Sequence, residues 1–243
     1  MQHGGAGPGL SRRFLAVAVV SLVAFLVLAL LAADRQFSSL DHEARALVQL
    51  TRLPSLDPAM TGVSGLGESY GLIPLMALGV ALLWRSSRRW AVALPLLMAG
   101  TGVLQLVAKW AIDRPRPNLA EWGFPSGHVL SLVVFFGLVA YLLATSTLTR
   151  SRQRLGYTGC AATVVVVAFS RLYLEAHWVS DLAGGFTLGV GYLLLTIGLV
   201  ETVARRYTTR VAVEALGPSS EAQVQLADDE RAVADVDAVV VSI

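Results

Sequence analysis

The feature that most constrains this chain is a series of long runs without charge. Phe14 to Ala33 holds twenty residues and no charged side chain. As a helix, that length crosses a hydrocarbon core of ~30 Å. Five further apolar runs follow, at about 70–84, 90–108, 129–146, 157–174 and 178–200. Inside hydrocarbon a segment must satisfy its own backbone polar groups, so runs of this kind fold as helices. The expectation is an all-α, polytopic membrane bundle of six transmembrane helices. Composition agrees: the chain is 55% hydrophobic and only 15% charged, where a soluble domain carries roughly 25% charged residues. The first run competes with a cleaved signal peptide. The apolar region of such a peptide spans ~7–15 residues before a small-x-small site. Leu31-Ala32-Ala33 is a poor site, so a retained span is expected.

Charge placement orients the bundle. The net charge of +2 over 243 residues hides an asymmetry. Residues 211–243 carry seven acids and one arginine, a net of −6, which leaves +8 for residues 1–210. Four basic groups fall on one side of a six-span chain: Arg12 and Arg13; Arg85, Arg88 and Arg89; Arg150, Arg152 and Arg154; Arg205, Arg206 and Arg210. They are eleven of the nineteen basic residues, and the positive-inside rule makes their side cytoplasmic. The expected location is the cell membrane, multi-pass, with both termini cytoplasmic. Two regions result: a six-span domain over 1–210 and an acidic, disordered cytoplasmic tail over 211–243. The first ten residues, rich in glycine, are expected to be disordered as well. The basic excess is assigned to topology and phosphate binding, with no nucleic-acid partner. Cys160, the single cysteine, lies in an apolar run and is expected to be a packed membrane residue. No feature of the sequence specifies an oligomeric state.

Residues 34–67 are mixed in character. Phe37, Leu40, Ala44, Leu47 and Val48 fall at helical spacing, and Ser38 with Asp41 has the form of a capping box. A short amphipathic helix at the membrane surface is expected, broken by Pro54 and Pro58. Apolar residues from Met60 to Leu66 are candidates to extend the second span. Gly185 and Gly189 form a small-xxx-small pair, which predicts close helix packing. His3 and His42 are expected to be solvated.

Three short polar stretches interrupt the oily sequence: Lys109 to Pro117, Pro125-Ser126-Gly127-His128, and Ser170-Arg171 followed by His177 and Asp181. In the six-span layout all three fall on the outer face. Charge beside hydrocarbon is costly, so such a cluster marks a functional site. Lys109, Arg116 and Arg171 are three cations without an equal number of nearby anions. The planar fork of arginine suits phosphate oxygens, and lysine adds a point charge. Pro125-Ser126-Gly127 precedes a helix. Proline suits the first helical position, glycine lets the backbone approach a ligand, and free N–H groups at the helix start bind anions. An oxyanion such as phosphate fits all of this.

His177 and Asp181 are four residues apart and share a face if both are helical. Asp181 then accepts from one ring nitrogen, and the other becomes a directed nucleophile or base. His128 is placed to protonate a leaving oxygen. Two histidines and an aspartate also form a metal-ligand set, but the surrounding cations would repel a metal; no metal and no other cofactor is expected. Asp113 and Arg114 either pair with each other, or Arg114 reaches the phosphate. Trp178 is expected to be an interface anchor.

These residues resemble the signatures of the type 2 phosphatidic acid phosphatase superfamily. Lys109, six residues, then Arg116-Pro117 is similar to the first signature. Pro125-Ser126-Gly127-His128 is similar to the second, and Ser170-Arg171, His177 and Asp181 to the third, in order and without departure at the signature positions. The resemblance implies a membrane lipid phosphatase. It implies that His177 attacks phosphorus and forms a phosphohistidine, that Asp181 supports it, and that His128 protonates the leaving group. It implies that Lys109, Arg116, Ser126, Gly127 and Arg171 hold the phosphoryl oxygens without metal. Implied substrates are undecaprenyl pyrophosphate, phosphatidylglycerol phosphate or phosphatidic acid. Two alternatives stand beside hydrolysis: a lipid phosphotransferase with the same intermediate, and a non-enzymatic transporter or binding protein for an anionic lipid.

Overall fold

The computed structural model describes residues 12–34 and 38–216. The glycine-rich start, His3 and the acidic stretch from 217 onward lie outside the described residues. Within them there are eight α-helices and no strand. In chain order these are α1 (Arg12–Ala33), α2 (Ser38–Leu50), α3 (Asp57–Ser64), α4 (Ser69–Ser86), α5 (Arg88–Ile112), α6 (Gly127–Ala144), α7 (Arg150–Tyr173) and α8 (Val179–Leu216). Two 3₁₀ turns, Pro54–Leu56 and Gly65–Gly67, flank α3. Six helices are long and apolar enough to cross a membrane: α1, α4, α5, α6, α7 and α8.

The helix ends differ from the sequence expectation in physically readable ways. Met60 to Leu66 does not extend the second span. The chain folds back at Gly65–Gly67, where a Cβ on Gly65 would lie 2.6 Å from the Tyr70 hydroxyl. Arg150, Arg152 and Arg154 lie in the first two turns of α7 rather than in a loop before it. Lys109 is in the last turn of α5. The last helix does not stop near Val200; it runs on to Leu216. The chain divides into one unit up to Ile197 and a second from Gly198. The described part of the second unit is the end of α8.

Within the first unit α6 is the buried helix. Leu130, Leu132, Val133, Val134, Phe135 and Leu138 are all buried along it, as expected of a helix apolar on every side. By contrast α4 buries no residue, and α1 buries only Ala18 and Ala32; their exposed leucines and valines suit contact with lipid tails. The small-residue pair behaves as expected. A Cβ on Gly185 would lie 2.5 Å from the Ser126 carbonyl oxygen, and one on Gly189 would lie 2.9 Å from Val133 Cγ1. Glycine is what lets the start of α8 lie against the start of α6. That approach brings the second and third polar stretches together. Cys160 is partly buried on α7, with a free thiol.

Candidate active site

The three polar stretches meet at one end of the first unit. Lys109 sits near the end of α5, His128 at the start of α6, Arg171 near the end of α7, and Asp181 at the start of α8. Alternating helices present alternate ends to one face, so the four converge. They surround a cavity of about 240 Å³. Lys109, Arg116, Gly127, His128, Arg171 and His177 line it. Ser126 and Asp181, also singled out from the sequence, stand behind this lining.

The second stretch is built as a helix start. Ser126 is the N-cap of α6, with extended backbone and no side-chain capping bond. Pro125 therefore lies outside the helix, two residues before its first helical position rather than at it. The Ser126 N–H donates to the Asp181 carbonyl oxygen at 2.9 Å, which ties the second stretch to the third. Its hydroxyl is fully buried and has no hydrogen-bond partner. At Gly127 a Cβ would collide with the Gln105 side-chain oxygen, so a larger residue there would displace the Gln105 side chain. Arg116 Nε and Arg171 Nε are likewise buried without a partner. Buried polar groups are normally satisfied. Orphaned donors around a cavity lined by three cations have the character of an empty anion site. Arg171 is anchored meanwhile by Nη1, which donates to the buried Ser64 hydroxyl at 2.6 Å.

The third stretch pairs as expected, but by another route. His177 is not helical; α8 begins two residues later. Asp181 N–H donates to the Trp178 carbonyl at 3.1 Å, and Asp181 Oδ2 accepts from the Trp178 N–H at 2.9 Å. This is the reciprocal capping of a helix start, with aspartate as the third helical residue. The same Oδ2 lies 3.3 Å from His177 Nδ1. A carboxylate oxygen accepts, so Nδ1 carries the proton and Nε2 is left with its lone pair. Burial holds the His177 ring below the usual histidine range, against the opposing pull of Asp181, while Arg171 and Arg116 add to the lowering. The neutral imidazole is thereby favoured.

Arg114 does not pair with Asp113, nor does it line the cavity. It is buried, with Nη1 donating to Asp181 Oδ1 at 2.9 Å and to Ser180 Oγ at 2.6 Å. Its Nη2 donates to Asp41 Oδ2 at 2.6 Å. Asp41 also accepts from the Ser180 N–H at 3.0 Å and the Ser180 hydroxyl at 2.7 Å. The fully buried Asp41 thus serves the start of α8, while the Ser38 side chain of the expected capping box lies outside the described residues. Every carboxylate oxygen of this pair of acids is satisfied, as buried ionic groups require.

The polar side of α2 braces the loop that carries His177. Arg45 Nη2 lies 2.7 Å from Glu175 Oε1, and Gln49 donates to the Tyr173 carbonyl at 3.2 Å. His42 is exposed, as expected, and its ring lies 5.0 Å from that of Trp178. Trp178 in turn donates its indole N–H to the Pro115 carbonyl at 2.9 Å, so it staples the Arg116 loop to the His177 loop. Asp113, Leu119, Trp122 and Glu175 all have positive φ. Left-handed backbone in non-glycine residues persists where surroundings over-determine it, and here it marks the two loops that carry Arg116 and His177.

Ser64, Ser180 and Glu68, which lines the cavity, were not singled out by the sequence, and Asp41 was read only as part of a capping box. Asp41 and Ser180 are 139 residues apart, so no local signal marked their partnership. Among the described residues, no three of His, Cys, Asp and Glu stand together as a metal-ligand set.

The family model of the PAP2 superfamily matches residues 90–205. Phosphatidylglycerophosphatase B of Bacillus subtilis is 33% identical over 189 residues, covering 74% of this chain and 93% of that protein. Undecaprenyl-diphosphatase of Sulfolobus acidocaldarius is 26% identical over 198 residues, covering 75% and 91%. Among solved structures, a transmembrane PAP2 type phosphatidylglycerolphosphate phosphatase from Bacillus subtilis superposes with a TM-score of 0.69 at 29% identity, covering 76% of this chain and 96% of that one.

Proposed function

Because this chain belongs to the PAP2 superfamily, we propose that it is a multi-pass membrane phosphatase that removes a phosphoryl group from a lipid phosphate. The observation that carries the reading is the cavity itself, where three cations, a helix start and two histidines converge on orphaned buried donors. Lys109, Arg116 and Arg171 hold the phosphoryl oxygens, with the N–H groups at Gly127 and the Ser126 hydroxyl completing the anion site. His177 Nε2 attacks phosphorus; the N–P bond forms as the bond to the leaving oxygen breaks. His128 gives that oxygen a proton. In the second half, water attacks the phosphohistidine, His128 takes a proton from the water, and inorganic phosphate leaves. His177 returns neutral and His128 returns protonated, so the cycle closes.

The substrate favoured is a phosphomonoester such as phosphatidylglycerol phosphate, since the similarity is greater to a phosphatidylglycerophosphatase than to an undecaprenyl-diphosphatase. Three fixed cations supply the charge that a metal supplies elsewhere, so the reaction is read as metal-independent. Purified protein is expected to release inorganic phosphate from phosphatidylglycerol phosphate without an added acceptor, with the rate unchanged in EDTA. Dependence on an acceptor lipid would turn the reading to phosphotransfer. Loss of rate in EDTA, restored by one added metal, would overturn metal independence.

The cavity is read as opening on the outer face, with both termini cytoplasmic. In support, α5 and α7 start with arginine clusters and end at the cavity, and the clusters follow the positive-inside rule. Leu119 is 86% exposed in the Arg116 loop. In otherwise cysteine-free protein in intact cells, an impermeant thiol reagent is expected to label Leu119→Cys and to spare Arg152→Cys. The reverse pattern would invert the topology.

A further inference from the structure

One acid in the cavity has no place in the chemistry described so far. Glu68 lines the cavity together with Lys109, Arg116, His128, Arg171 and His177, and it is the single carboxylate of that lining among the described residues. Its Oε1 stands 3.1 Å from His128 Nε2. No hydrogen bond joins the two, and Nε2 is buried without a hydrogen-bond partner. The placement is built into the backbone. Glu68 is the N-cap of α4, with its carbonyl accepting from the Gly71 and Leu72 N–H groups at 3.0 and 2.8 Å. The residue before it packs on the same ring: a Cβ on Gly67 would lie 2.5 Å from His128 Cδ2. The Gly65–Gly67 turn therefore presses against His128 and delivers the carboxylate to its outer nitrogen.

We propose that Glu68 is the positioning residue of the leaving-group acid, pairing with protonated His128 and aiming Nε2–H at the leaving oxygen. The proposal rests on the phosphatase reading, in which His128 is that acid. Its reason is charge. Protonated His128 carries a positive charge into a cavity that already holds Lys109, Arg116 and Arg171, and like charges in one site oppose one another. Before substrate arrives, Glu68 is the anion of the lining that offsets this. When the leaving oxygen enters, the side chain, about half exposed, has room to tilt aside while keeping its charge beside the ring. The proton balance of the cycle is unchanged, because Glu68 neither gives nor takes a proton.

The test separates leaving groups. A lipid alkoxide needs a proton to depart, whereas p-nitrophenolate leaves without one, so a residue acting through the acid affects phosphoenzyme formation from the first alone. Glu68→Gln in the full-length protein is expected to lower the rate of phosphoenzyme formation from phosphatidylglycerol phosphate about tenfold or more, a fraction of the general-acid effect. On p-nitrophenyl phosphate the change should stay below about twofold. Glu68→Asp, which keeps the charge on a shorter arm, should show the same bias to a smaller degree, and it carries the test if Glu68→Gln does not fold. Equal losses on both substrates, or none on either, would overturn the proposal. So would a lower KM with undiminished kcat, which would make Glu68 a plug of the empty site. His128→Ala is measured in parallel. If it shows the leaving-group bias and Glu68→Gln does not, only the role of Glu68 fails; if neither shows it, the assignment of the acid fails with it.

Discussion

His177→Ala is expected to abolish phosphoenzyme and to reduce turnover on the order of 10⁶-fold, the scale seen when a covalent nucleophile is removed. The geometry gives the reason. Asp181 Oδ2 occupies the Nδ1 side of the ring, so Nε2 is the nitrogen left for phosphorus, and no neighbouring group replaces it. His128→Ala removes the proton donor of the first half-reaction and the base of the second; it should slow phosphoenzyme formation from a lipid phosphate on the order of 10²- to 10⁴-fold, and formation from p-nitrophenyl phosphate much less. Trapping labelled phosphate on acid-quenched protein distinguishes the two. Label on His177→Ala and none on His128→Ala would mean that the roles are exchanged. The pH profile should be bell-shaped, since one histidine reacts neutral and the other protonated. Burial lowers the His177 pKa, so the neutral nucleophile persists below the ordinary value of about 6.5. The acidic limb should therefore lie below that pH, with activity falling only as pH drops through the lowered value. Asp181→Asn removes an interaction that raises the His177 pKa, so this limb should move further down, while the rate falls because the tautomer is no longer held.

Arg114→Ala is expected to destabilise the protein by about 3–5 kcal/mol, the scale for removing one partner of a buried ion pair. Arg114 bridges Asp41 and Asp181, and all three are buried. Its loss leaves two carboxylates 0–1% exposed and facing one another without a cation. At about 1.4 kcal/mol per factor of ten, that is a hundredfold or greater shift toward the unfolded protein. Asp41→Asn should cost less, because Arg114 keeps Asp181 and the amide can still accept from Ser180. Thermal or denaturant unfolding in detergent measures both. An unchanged midpoint for Arg114→Ala would show that the pairs are not made in the native protein.

The six spans were legible in the sequence because a bilayer asks for one thing, an uncharged run of sufficient length, and each run carries that requirement within itself. The residues lining the cavity were legible for a related reason: cations and histidines stand out against hydrocarbon. Helix ends were less so. Arg150 to Arg154 read as a loop because charge resembles solvent-facing chain, yet arginine is a good helix former and α7 simply begins there. Met60 to Leu66 read as more of a span, because hydropathy alone does not register that Gly65 and Gly67 turn the chain against Tyr70 and His128.

By itself, then, the sequence determined that the chain would be helical, would lie in a membrane, and would gather Lys109, Arg116, His128, Arg171 and His177 at one end. Each of those depends on local composition or on the parity of helix crossings. Only the tertiary structure decided what stands behind them. His177 meets Asp181 through the cap of α8 rather than along a helix face. Arg114 turns from its neighbour Asp113 to Asp41, 73 residues earlier. Ser180 reaches the same aspartate across 139 residues. A buried charge takes whichever partner folding brings within reach, and that choice is made by the packing of α2 against the end of α7, to which hydrophobic periodicity is blind.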